Sequence, residues 1–204
     1  ALHLHRTLGL NLAFPVLPFH GRRNPGARFA SMPSADVLET IHGLAQCVWD
    51  VRQLLAHLRS RSDQPVGLLG LSLGGLVSAM VASLDRPDAA LLLVPAVDMP
   101  TLMAEGAALS DDVTDDERDL MKRSEPLFAP VSPLRLTPTV PREARFIVAG
   151  TLDRFARPRT QAMALWEHWE RPELRWYHGG HVSLFWARNV QAAIDDKLRA
   201  VRLA

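Results

Sequence analysis

Ser72 sits in Gly70-Leu71-Ser72-Leu73-Gly74-Gly75, directly after the apolar run Val66-Gly67-Leu68-Leu69 and at the head of a segment with helical character. A serine on a sharp strand-to-helix turn is a presented nucleophile, and the turn needs small residues two before and two after it because strand and helix approach closely. Gly70 and Gly74 occupy those positions. A serine hydroxyl is a weak nucleophile at neutral pH. It requires an imidazole to take its proton and a carboxylate to hold that imidazole in the useful tautomer. Asp153, in Ala149-Gly150-Thr151-Leu152-Asp153, and His181, in His178-Gly179-Gly180-His181, follow Ser72, each behind its own strand-like run. Reacting groups in α/β sheets gather beyond the carboxyl ends of the strands, so the three are expected to meet and carry out acyl transfer.

The elements that must position them alternate. Strand Val66 to Leu71, helix Gly74 to Leu84, strand Ala89 to Pro95, strand Arg145 to Ala149, helix Pro158 to Glu170, strand Leu174 to Tyr177 and a closing helix from Leu184 to Leu198 read as an α/β domain with a mostly parallel sheet and helices on both faces. Upstream, Leu12 to Phe19 is a short apolar run read as a buried strand, although Pro15 and Pro18 limit its pairing. Gly21 to Pro33 is a loop. Ser34 or Asp36 then caps a long helix whose apolar positions, Val37, Leu38, Ile41, Leu44, Ala45, Val48, Val51, Leu54, Leu55 and Leu58, recur at spacings of three and four. Residues 98–141 break the rhythm. They hold an acidic helix candidate at Thr114 to Lys122 and a proline-rich stretch, and read as an insertion over the sheet's edge within a single domain spanning 1–204.

With these three motifs in this order, residues 10–204 resemble the α/β-hydrolase family, in its serine esterase and lipase-like branch. The resemblance implies Ser72 as nucleophile, His181 as general base and acid, Asp153 as orienting carboxylate, and the backbone N–H of Leu73 as one oxyanion-hole donor. Asp98, which follows the preceding strand, is an alternative acid, and His178 an alternative histidine. The Gly-x-x-Asp setting favours Asp153, and the position of His181 in the loop beyond the strand favours it over His178.

His20-Gly21 looks like an oxyanion loop, but only one loop, one helix and one strand separate it from Ser72, where the family places a further helix and strand. Leu12 to Phe19 is therefore expected to follow that missing unit, and Ala1 to Leu8 to be the tail of the helix before it. On this reading the chain lacks the first strands and the loop carrying the second oxyanion donor. Its initial alanine favours an N-terminally incomplete piece of a longer protein over a naturally reduced hydrolase. Loss of one oxyanion donor costs roughly 100- to 1000-fold in turnover.

The 204 residues carry 23 Lys plus Arg against 22 Asp plus Glu, so no global field draws the protein to nucleic acid or acidic lipid. Apolar runs such as Ala89 to Val97 fall short of the roughly 20 residues of a membrane helix. The single cysteine, Cys47, reads as a buried structural thiol and fits a cytoplasmic location. No cluster has metal-ligand spacing, and no phosphate loop or dinucleotide fingerprint is present, so no metal or cofactor is expected.

The expected partner is a small-molecule ester. Met99, Leu102, Met103, Leu127, Phe128, Phe155, Phe185 and Trp186 are candidates for an apolar acyl site. Arg22, Arg23 and Arg28 are candidates for contact with an anionic group, with a solvated loop as the alternative. Trp49, Trp166, Trp169 and Trp176 read as core rather than as a carbohydrate platform. The leading function is a serine-dependent carboxylic ester hydrolase. A peptidase, thioesterase or acyltransferase would use the same residues, and the rival from another class is a non-catalytic binding protein on the hydrolase fold.

Overall fold

The computed structural model describes residues 2–24, 32–34, 36–107 and 114–203. Its sheet has four strands, β1 (Leu68–Leu71), β2 (Ala90–Leu93), β3 (Arg145–Gly150) and β4 (Glu173–Tyr177), all parallel and in the order β1-β2-β3-β4. β2 and β3 are buried throughout, as interior strands covered on both faces must be. The register pairs Leu71 with Leu93, Leu93 with Val148, and Gly150 with Tyr177. The strands therefore end almost level, and the residues just beyond them share one rim.

Among the helices that precede or connect the strands are α2 (Val37–Arg61), α3 (Leu73–Leu84) and α6 (Ala162–His168). Right-handed crossovers in a sheet that grows in one direction put α3 and α6 on the same face. Asp36 caps α2, its Oδ1 accepting from the backbone N–H groups of Leu38 and Glu39 at 2.9 and 3.0 Å. α2 and α3 enclose a core of Leu44, Cys47, Leu55, Leu76, Val77 and Met80. Burial, with the nearby Asp50 carboxylate adding to it, pushes the Cys47 thiol up to about 12. On the other face α7 (Arg188–Ala200) packs on β4, and α1 (Leu2–Leu8) joins it through a hydrogen bond between His3 Nε2 and Asp195 Oδ2 at 2.7 Å.

Two expectations about the fold change. Leu12 to Phe19 forms no strand, and Leu12, Phe14 and Val16 are 36%, 71% and 49% exposed. Its two prolines remove backbone donors, and β1 pairs only with β2. Residues 98–107 and 114–141, with α4 (Met99–Ala107) and α5 (Asp115–Arg123), pack beside α2 and α3 rather than over a sheet edge. They connect two interior strands, so they have to cross a face. Residues 108–113 of that segment, like Ala1, lie outside the described residues.

The tryptophans divide. Trp169 is fully buried and Trp166 donates from Nε1 to Pro172 O at 2.8 Å, whereas Trp49 and Trp176 are 55% and 41% exposed. For those two, helical and strand spacing did not translate into burial.

Candidate active site

Ser72 stands between β1 and α3 with φ 53° and ψ −115°, a strained conformation for a residue with a side chain. The strain is held from both sides, because Ser72 N–H donates to Leu93 O at 3.0 Å while Ser72 O accepts from Gly75, Leu76 and Ala96. A Cβ at position 70 would lie 2.1 Å from Gly74 O and 2.5 Å from Ser78 Oγ, so only glycine lets β1 and α3 close to this distance. Gly74 plays a different part from the one its spacing implied. Nothing lies within 4 Å of a Cβ built there, and the residue lines an open cavity. Ser72 also forms no helix-capping hydrogen bond, which leaves its Oγ free for other partners.

The turns after β3 and β4 are tied to each other. Thr151 N–H donates to Tyr177 O and Leu152 N–H to Gly179 O, each at 3.0 Å. Gly150 allows this approach, since a Cβ there would sit 2.6 Å from Gly179 O. Asp153 is 5% exposed, and its Oδ1 accepts from the N–H groups of Phe155 and Ala156 at 3.0 and 2.9 Å. Its Oδ2 lies 2.7 Å from His181 Nδ1, and His181 Nε2 lies 2.8 Å from Ser72 Oγ. A buried carboxylate accepts, so Nδ1 carries the ring proton and Nε2 presents a lone pair to the serine hydroxyl. The Phe155 ring covers the imidazole at a centroid distance of 4.9 Å.

The two alternatives go elsewhere. Asp98 Oδ1 accepts from Thr101 N at 3.1 Å and its Oδ2 from Thr101 Oγ1 at 2.8 Å, so it caps α4. His178 is exposed and meets Thr151 Oγ1 at 3.2 Å. Leu73 is the first residue of α3, where the backbone N–H has no intrahelical acceptor. It stands next to Ser72, where such a donor can face a developing oxyanion.

A cavity of about 420 Å³ opens beside Ser72. Of the apolar candidates, Met99, Leu102 and Phe155 line it, joined by Leu17, Met32 and Leu71. Phe128 belongs to the core beneath, Met103 packs against that core, and Leu127, Phe185 and Trp186 are exposed away from the cavity wall. Arg23 is occupied, donating to Val16 O at 2.9 Å and pairing with Asp50. Arg22 is exposed and does not line the cavity, and Arg28 lies outside the described residues.

Two supporting residues were not evident in the sequence. Tyr177 donates from its hydroxyl to Gly180 O at 2.6 Å, steadying the turn that carries His181, and burial pushes its hydroxyl up to about 12. Gln161, fully buried, accepts from Val97 N and Asp98 N at 2.8 Å each and donates to Asp98 O at 3.1 Å, fixing the loop after β2. A lone glutamine at the head of an apolar helix was the available signal for the latter.

The chain is similar to a Thermus thermophilus protein of solved structure, with TM-score 0.61 and 16% identity over 91% of this chain and 74% of that one. It is also similar to an acetyl xylan esterase from Paenibacillus sp. R4, with TM-score 0.59 and 19% identity over 89% of this chain and 63% of that one. An esterase of Pyrococcus furiosus gives TM-score 0.57 and 16% identity over 75% and 61% of the two chains. The chain has the α/β-hydrolase fold. In sequence it is 45% identical over 201 residues to an uncharacterized protein of Mycobacterium tuberculosis, found in two strains, a match covering 97% of this chain and 48% of the relative. The chain thus spans about half the length of the curated relatives it matches. No family model matches it.

Proposed function

We propose that this chain is a serine-dependent hydrolase of carboxylic esters. The observation that carries the reading is the unbroken hydrogen-bonded relay from Ser72 Oγ through His181 to the buried Asp153, with links of 2.8 and 2.7 Å. Two of the structural neighbours are esterases by name, which supports the same reaction class.

In the first half-reaction His181 Nε2 takes the Ser72 proton as Oγ bonds to the ester carbonyl carbon. The carbonyl electrons move onto oxygen, where the Leu73 N–H stabilises them. Collapse breaks the bond to the alcohol oxygen, which leaves with the proton from Nε2. Water then repeats the sequence on the acyl-enzyme, yielding the carboxylic acid and restoring the Ser72 hydroxyl. Asp153 stays ionised and holds the imidazolium in place. The apolar walls of the cavity suit an apolar acyl group.

Intact mass after exposure to a fluorophosphonate, which phosphonylates an activated serine whatever the natural substrate, tests the reading. A single adduct on the parent and none on Ser72→Ala supports it. No adduct on either refutes it.

A further inference from the structure

We propose that His20 is a specificity-determining residue that accepts a hydrogen bond from an O–H or N–H group of the substrate, so that the preferred esters carry such a donor near the scissile carbonyl. The inference rests on the Ser72 reading and narrows its substrate class. Its starting point is the composition of the cavity wall. Among the described residues lining the cavity beside Ser72, His20 and Ser72 bear the only polar side chains. In a mostly apolar site, a small number of placed polar groups sets orientation and selectivity.

The turn that presents His20 is built rather than loose. His20 N–H donates to Leu17 O at 3.1 Å, Arg23 N–H to His20 O at 2.9 Å, and Asn24 N–H to Gly21 O at 3.2 Å. Phe19, on one side, has φ 61°, and Gly21, on the other, has φ 50°. A phenylalanine in the left-handed region is costly and persists only where its surroundings hold it. Here the Phe19 ring packs against the α2–α3 core, and Arg23 clamps the turn through Val16 O and Asp50. Strain thus accompanies both polar residues of the cavity, Ser72 and the turn at His20.

The chemistry of the imidazole follows from one contact. His20 Nδ1 lies 2.8 Å from Pro18 O, and a carbonyl oxygen only accepts, so Nδ1 carries the proton. In the neutral ring Nε2 is then a lone-pair acceptor, and it has no partner among the described residues. An O–H or N–H on the substrate satisfies it, whereas an alkyl group leaves it unpaired. His20 is solvent-exposed, so the discrimination falls well below that of an enclosed site, at roughly 10- to 100-fold in kcat/KM.

The test compares isosteric esters that differ by one hydroxyl: 2-hydroxyethyl against propyl butyrate on the alcohol side, and ethyl 3-hydroxybutyrate against ethyl 3-methylbutyrate on the acyl side. The parent should favour the hydroxyl member of at least one pair by roughly 10- to 100-fold. His20→Phe should bring that ratio close to one, and His20→Gln, which restores an acceptor oxygen, should recover part of it. Thermal unfolding checks that both variants fold. Fluorophosphonate labelling of Ser72 with equal kcat/KM inside both pairs overturns the role of His20 alone, as does a preference that survives in His20→Phe. Absence of both labelling and turnover overturns the hydrolase reading, and this inference falls with it.

Discussion

The two flanks of Ser72 are built in opposite ways. On one side, the turns after β3 and β4 bond to each other, bury Asp153 and hold His181 between a carboxylate and an aromatic ring. On the other, residues 11–16 are exposed and form no strand, and the Leu17 and His20 part of the wall they lead to is secured by the Phe19 ring, Arg23 and one tight turn. The relay therefore rests on neighbouring strands that support each other. The Leu17 and His20 part of the cavity wall rests on a segment that forms no strand, while Leu71 of β1, Met99 and Leu102 of α4 and Phe155 of the turn after β3 form much of the rest. The N-terminal part of the cavity wall is thus separable from the hydrogen-bonded chain Ser72–His181–Asp153, Phe155 belongs to both, and mutations on the two flanks should fail differently.

The largest effect should come from the relay itself. Ser72→Ala should reduce kcat on an activated ester by roughly a million-fold, and Asp153→Asn, which removes the hold on the tautomer, by roughly ten thousand-fold. Neither should lower the melting temperature much. Equal loss of activity from Asp98→Asn would break the comparison, because Asp98 serves α4 and not His181.

Next is the close approach at the elbow. Gly70→Ala forces a Cβ into Gly74 O and should cost about 1–3 kcal/mol in denaturant unfolding, with turnover falling as Ser72 shifts. Gly74→Ala meets no such clash, so its stability should stay close to the parent's while KM changes, since the added methyl enters the cavity wall.

Tyr177 gives a smaller effect that depends on pH. Its pKa is raised in the fold from 10.0 to about 12, so the folded state favours the neutral phenol. The resulting stabilisation is complete below the unfolded value and is lost as pH rises from about 10 to about 12. Tyr177→Phe should flatten that alkaline fall in melting temperature and, by releasing Gly180 O, lower stability at neutral pH by about 1 kcal/mol.

Smallest of all should be the outer surface of the N-terminal flank. Replacing Leu12, Phe14 and Val16 one at a time with serine should change the stability of this chain by no more than about 0.5 kcal/mol, because all three side chains are already exposed. Losses well above that in thermal unfolding would show that the flank is held as firmly as the acid and histidine side.

Much of this molecule was legible in its sequence, and the reason differs by element. β2 and β3 announce themselves as continuous apolar runs because interior parallel strands have no solvent face to encode. The helix at Val37–Arg61 is marked by its cap and its periodicity. That Ser72, Asp153 and His181 would lie together was legible because each follows a strand, and level strand ends bring such positions to one rim. Leu12 to Phe19 was misleading for the complementary reason. An apolar run becomes a strand only if its backbone can complete a ladder, and Pro15 and Pro18 remove two donors from this one, which stays unpaired although β1 has an open edge.

By itself, then, the amino-acid sequence determined the order of the four paired strands with helices α2, α3, α6 and α7, and the candidate residue types for acyl transfer, since periodicity and turn chemistry are local properties. Tertiary structure decided which candidates meet: that Asp153 faces His181 while Asp98 turns to Thr101, that Met99 and Leu102 reach the cavity while Phe128 sinks into the core, and that His20 shares a cavity with Ser72. Those outcomes depend on distances between residues far apart in the chain. They are set by how the core packs, and no local pattern records them.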